Sequence, residues 1–139
     1  MKTYSTSEIR NLVIVGNAGS GKTTLCETML YEGGIIERRG DVENKNTVSD
    51  YKEIEHYNTN SVFSTLLYTE YNNHKINFID APGLDDFIGG VISSIRVSDT
   101  ALLLINAQNG MEVGAEIHGR YLKKYNTPMV LVVNQLDHE

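Results

Sequence analysis

The chain is 139 residues long, with 40% apolar and 22% charged residues and a formal net charge of −6 at pH 7. This length supports one domain with a real core and not two, and the composition excludes disordered and fibrous classes. The acidic balance excludes a broad nucleic-acid-binding face, so DNA is not an expected partner and any RNA contact is local.

Residues 1–10 lack the apolar stretch of a signal peptide, and no apolar run approaches the ~20 residues of a membrane span. No membrane partner is expected, and the cytoplasm is the expected compartment. Residues 12–15, Leu-Val-Ile-Val, form the first of several short apolar runs, which read as parallel strands buried on both faces. Directly after it comes Gly16-Asn17-Ala18-Gly19-Ser20-Gly21-Lys22-Thr23, a complete G-x-x-x-x-G-K-[ST] phosphate loop. Thr24 follows, then a helix with Leu25 and Met29 on one face. Strand, loop and helix in this order are the context the motif needs. Its glycines let backbone N–H groups turn in around phosphate oxygens at a helix N-terminus. Lys22 supplies a mobile cation, and Thr23 a hydroxyl suited to Mg²⁺. Cys26, the sole cysteine, reads as a small buried residue of that helix, and the four histidines do not cluster, so neither a disulfide framework nor a zinc site is expected.

Residues 35–60 are polar, weakly periodic and much longer than a typical connection of ~4 to 6 residues. Such loops are functional or disordered. Residues 61–71 are rich in Val, Phe, Thr, Leu and Tyr, and Asn72-Asn73 separate them from the apolar run 76–79, which predicts a hairpin and one antiparallel edge strand. Asp80-Ala81-Pro82-Gly83 closes that run, at the strand edge where open α/β sheets bind ligands. Asp80 there can hold Mg²⁺ through a water, and Gly83 can approach a γ-phosphate because it lacks a Cβ. A helix with Phe87, Val91 and Ile95 in register follows, then the run 101–105, then a helix carrying Ile117, Tyr121 and Tyr125 with Lys123 and Lys124 on its solvated face. The run 129–133 ends in Asn134-Gln135-Leu136-Asp137, an N-[KQ]-x-D pattern. A carboxylate at its end can accept from guanine N1 and the 2-amino group, a pair that adenine does not offer. The sequence stops just after this last strand with no helix to cover it, so a fragment is expected.

Taken together, the chain resembles the translational GTPases, and among them elongation factor G and its close relatives. The resemblance spans nearly the whole sequence, through GNAGSGKTTL, INFIDAPGLDDF, VISSIRVSDTALLLINAQNGMEVGAE and PMVLVVNQLD. The GMEVGAE stretch looks most like the elongation factor G-like branch. The resemblance implies an α/β P-loop NTPase fold of the Ras-like G-domain kind: a mostly parallel sheet with one antiparallel edge strand, helices on both faces, truncated at the C-terminus. Residues 1–139 would be the N-terminal part of the G domain, with phosphate loop 16–23, switch I 35–61, switch II 80–98 and base-reading motif 134–137.

A Mg²⁺-dependent switch binding GTP or GDP and hydrolysing GTP on the ribosome is the implied activity, with RNA met only in that setting. Gly16 through Thr24, Asp80, Gly83, Asn134, Gln135 and Asp137 would bind nucleotide; Lys22, Asp80 and Gly83 would act in hydrolysis; Thr23, Ser61 and Asp80 would hold the metal. Three positions depart from the family. Asn58-Thr59-Asn60-Ser61-Val62 stands where R-G-I-T-I is usual, Gln135 replaces a lysine, and Leu84 replaces a water-positioning histidine. The implied alternatives are a ribosomal protection protein and a nucleotide-dependent ribosome-binding module with negligible hydrolysis.

Overall fold

The computed structural model describes residues 2–137. Its elements, in chain order, are β1 (Ile9–Gly16), α1 (Lys22–Glu32), α2 (Glu53–Asn58), β2 (Thr65–Tyr71), β3 (His74–Asp80), α3 (Ile88–Val97), β4 (Thr100–Asn106), α4 (Val113–Lys124) and β5 (Met129–Asn134). Short 3-10 turns at Thr6–Glu8 and Asp85–Phe87 precede β1 and α3. The strands form one sheet in the order β2-β3-β1-β4-β5. β1 pairs in parallel with both β3 and β4, β4 pairs in parallel with β5, and β2 runs antiparallel to β3. The expected mostly parallel sheet with one antiparallel edge strand is the one observed.

Burial follows from this order. β1 is central, and Val13, Ile14 and Val15 are all fully buried because alternate side chains enter opposite layers. On one face Val13 and Val15 meet Val91 and Ile95 of α3 and Ala115 and Leu122 of α4. On the other, Ile14 and Phe78 meet Cys26 and Leu30 of α1. Helices therefore cover both faces. Each large apolar side chain removed from water here contributes about 1.5–3 kcal/mol. Cys26 is buried as expected, and Lys123 and Lys124 are exposed. β5 lies at one edge, with Val130, Leu131 and Val133 about half exposed. Among the described residues no helix is long and apolar enough to cross a membrane.

Three details differ from the sequence reading. The run 129–133, read as buried on both faces, forms β5 at the sheet edge, where none of its side chains is fully buried. The edge strand begins at Thr65 rather than near Ser61, because Val62 and Phe63 spend their N–H groups on the Glu55 carboxylate instead of a ladder partner. The 35–60 loop also contains α2, which the weak periodicity did not signal.

Candidate functional site

Parallel pairing brings the C-terminal ends of β1, β3 and β5 to one edge of the sheet. Gly16 ends β1, and the phosphate loop carries the chain into α1, whose N-cap is Gly21 at φ +90°. An L-residue is disfavoured at that angle. Lys22 is the first residue of α1 and is almost fully buried. Its ammonium donates to the Asn17 carbonyl at 2.8 Å, and burial lowers its pKa against the opposing pull of Asp80. Thr24 is exposed and lines, with Ala18, Gly19, Gly21, Lys22 and Thr23, a cavity of about 450 Å³ that Ser61, Gly83 and Gln135 also border.

Thr23 is the hub of a buried oxygen cluster. Its hydroxyl donates to Asp80 Oδ2 at 2.9 Å and lies 3.2 Å from the Ser61 hydroxyl. Ser49 donates to the same Asp80 oxygen at 2.8 Å, while among the described residues Asp80 Oδ1, though buried, has no partner. Burial raises the Asp80 pKa. Asp50 lines the same cavity beside Thr23 and Ser61, and its pKa is pushed up to about 6, chiefly by burial. Two crowded carboxylates, one with an orphaned oxygen, amid three hydroxyls form a hard-oxygen donor set that fits Mg²⁺. Thr23, Ser61 and Asp80, assigned to the metal from the sequence, are brought together here.

Gly83 lies directly over the phosphate loop. A Cβ at this position would run into the Lys22 ammonium and come within 2.6 Å of the Ala18 nitrogen. No other residue fits without displacing the loop. Leu84 then opens the 3-10 turn and is half-buried.

At the third strand end, Asn134 donates to the Ser20 carbonyl at 2.9 Å and Gln135 donates to the Gly19 carbonyl at 2.8 Å. Gln135 also accepts from the Asn106 amide. Asp137 is exposed. The strand end at 134–137 thus abuts the phosphate loop through its first two residues, and the Asp137 side chain is exposed to solvent.

Sequence reasoning did not assign a role to Ser49, Asp50, Asn106 or His118. His118, fully buried in α4, accepts the Gly16 N–H at Nδ1 over 3.1 Å. Its pKa is lowered to about 4, mainly by burial and next by Lys22, so the ring is neutral and its proton sits on Nε2. Ala115, His118 and Leu122 share the i, i+3, i+7 stripe that faces the sheet; that spacing was the available signal for His118. Ser49 and Asp50 carry no local pattern, since only the fold of their loop brings them to Asp80.

Comparison with known proteins agrees with this geometry. Residues 7–139 match the family described as the Elongation factor Tu GTP binding domain. The chain is 37% identical over 137 residues to elongation factor G of Granulibacter bethesdensis, covering 99% of this chain and 20% of that protein. It is 37% identical over 131 residues to the mitochondrial ribosome-releasing factor 2 of Candida dubliniensis, covering 94% of this chain and 16% of that one. A crystal structure from Thermus thermophilus superposes with a TM-score of 0.93 at 35% identity, over 96% of this chain and 20% of that one. The chain therefore spans about a fifth of the relatives it matches. A phosphate-loop motif, a carboxylate and glycine facing it, and the strand end at 134–137 on one sheet edge, with a family match over nearly the whole length, make this chain a member of the elongation factor Tu GTP-binding domain family, on its elongation factor G side.

Proposed function

We propose that the chain binds GTP and GDP with Mg²⁺ and is the nucleotide switch of an elongation factor G-like protein that hydrolyses GTP on the ribosome, in the cytoplasm, during translocation. The observation that carries the reading is the convergence of Lys22, Thr23, Ser61 and Gly83 on one cavity, with buried Asp80 bonded to Thr23 directly behind it. Lys22 would exchange its Asn17 carbonyl for β- and γ-phosphate oxygens. Gly83 would present its N–H to the γ-phosphate. Thr23, Ser61 and Asp80, with Asp50 beside them, would hold the Mg²⁺, which supplies charge neutralisation to the phosphates when bound. Catalysis would be positioning and electrostatics, by water attack on the γ-phosphate. The names of the elongation factor and ribosome-releasing relatives support the ribosome as partner.

Asn134 and Asp137 would select guanine. Calorimetric titration is expected to give GDP binding and no measurable ADP binding, and Asp137→Asn is expected to shift preference toward xanthine nucleotides. Equal affinity for ADP and GDP would overturn the assignment. Leu84 favours a second reading, a nucleotide-dependent ribosome binder with negligible hydrolysis, because leucine cannot hydrogen-bond a water.

A further inference from the structure

One wall of the nucleotide cavity is built from Val42 and Glu43, in the loop between α1 and α2. Residues 41–46 are mostly exposed and are bonded largely to one another: Asp41 accepts from the Glu43 N–H at 2.7 Å, and Asn46 accepts from the Asp41 N–H at 2.7 Å. This segment needs an external hold to stand as a wall. The hold is a carboxylate on the phosphate-binding helix. Glu27 is fully buried; its Oε2 accepts the Gly40 N–H at 2.9 Å and its Oε1 accepts the Val48 N–H at 2.6 Å. The two amides bracket the segment, so one side chain ties both ends of the wall to α1. The neck is also tight: a Cβ on Gly40 would lie 2.6 Å from the Asn46 carbonyl oxygen and 2.7 Å from Glu27 Oε2.

We propose that Glu27 is a positioning residue for nucleotide retention, holding residues 40–48 as a wall of the cavity so that nucleotide escape requires the hydrogen bonds from the Gly40 and Val48 N–H groups to Glu27 to break. This inference rests on the guanine-nucleotide reading above. Glu27 lies one helical turn beyond Thr23 on the same rigid element. The phosphates gripped at the start of α1 and the wall gripped further along it are thereby kept in fixed relation. A charged acceptor suits the task because it can take two N–H groups at once, whereas an amide of the same size offers one acceptor oxygen and turns a donor toward the other N–H.

The test is the release rate of fluorescent N-methylanthraniloyl-GDP from the wild-type protein and from Glu27→Gln, Glu27→Ala and Gly40→Ala, with hydrogen exchange and thermal midpoint measured on each. The Gly40→Ala change spoils the neck from the loop side and leaves the residues of the helix unchanged. Release is expected to quicken about tenfold or more in Glu27→Gln and Gly40→Ala, with faster exchange confined to the amides of residues 40–48. Should Glu27→Ala fail to fold, the other two variants carry the test. Folded Glu27→Gln and Gly40→Ala proteins that release at the wild-type rate overturn the proposal, and so does faster exchange spread through the whole protein, since that is general destabilisation. Wild-type protein that binds no guanine nucleotide sinks the reading under Proposed function instead.

Discussion

Leu84 stands half-buried at the start of the 3-10 turn, immediately after the glycine that overlies the phosphate loop. Its side chain offers neither donor nor acceptor, so it cannot hold an attacking water. Positioned groups that assist proton transfer contribute about 10² to 10⁴ in rate. Under the proposed reading, Leu84→His is therefore expected to raise single-turnover GTP hydrolysis on the ribosome by about 10² or more while GDP affinity stays nearly unchanged, because the ground-state contacts would be made by other residues. If the Leu84 protein already hydrolyses GTP as fast as the variant, another group positions the water. At this scale the sequence was most legible where a residue type has one use: Lys22, Thr23 and Gly83 sit where the motif spacing puts them. It was least legible where the use depends on a neighbour. Asn106 is an ordinary polar residue until Gln135 arrives from the next strand, and His118 is an ordinary helix residue until Gly16 turns its N–H toward it.

The loop between α1 and β2 is the element where period and burial disagree. Few apolar side chains anchor it, which predicted an irregular segment, and most of it is irregular. What organises it is polar. Glu55 of α2 is buried and accepts from the Val62 and Phe63 N–H groups, both at 3.2 Å, as Glu27 does further back. Acidic residues read from a sequence belong to solvent, and these two are buried only because several backbone donors satisfy each. No periodicity announces such a bond. The apolar runs of β1, β3 and β4, by contrast, were readable because central strands must be apolar on both sides. The Ser61 hydroxyl lies against Thr23 and Asp50, so a bound γ-phosphate and its metal would tighten this segment further. Amide exchange across residues 47–62 is expected to be slower with a non-hydrolysable GTP analogue than with GDP. Equal protection in the two states would make the segment a fixed structural element and not a switch.

In the molecule as a whole, the two apolar layers meet on β1, and α4 closes one of them while touching the phosphate loop. His118 links that packing to global stability. Its pKa is about 4 in the folded chain against about 6.5 when exposed, so the unfolded chain binds its proton first. Its contribution is intact above pH 6.5, is lost as pH falls from 6.5 toward 4, and changes no further below that. Between pH 7 and pH 5 the wild-type protein is expected to lose about 2 kcal/mol more stability than His118→Gln, read from urea unfolding at both values. Parallel losses in the two proteins would show that His118 takes up a proton without cost. Buried Asp50 and Asp80 act in the opposite sense, since their raised pKa values favour the folded chain as they protonate, and the comparison between variants removes them.

The hydrogen bonds from Asn106 to Gln135 and from Gln135 to Gly19, with Asn134 on Ser20 beside them, splice the strand end proposed to read the base to the loop proposed to grip the phosphates. A Cβ on Gly21 would strike the Asn134 amide, so there is no slack between the two. Under the proposed reading they share one elastic unit. A purine that misfits at Asp137 would strain the splice and loosen the grip on its own phosphates. Discrimination would then be registered as dwell time: right and wrong nucleotides would arrive alike, and the wrong one would leave early.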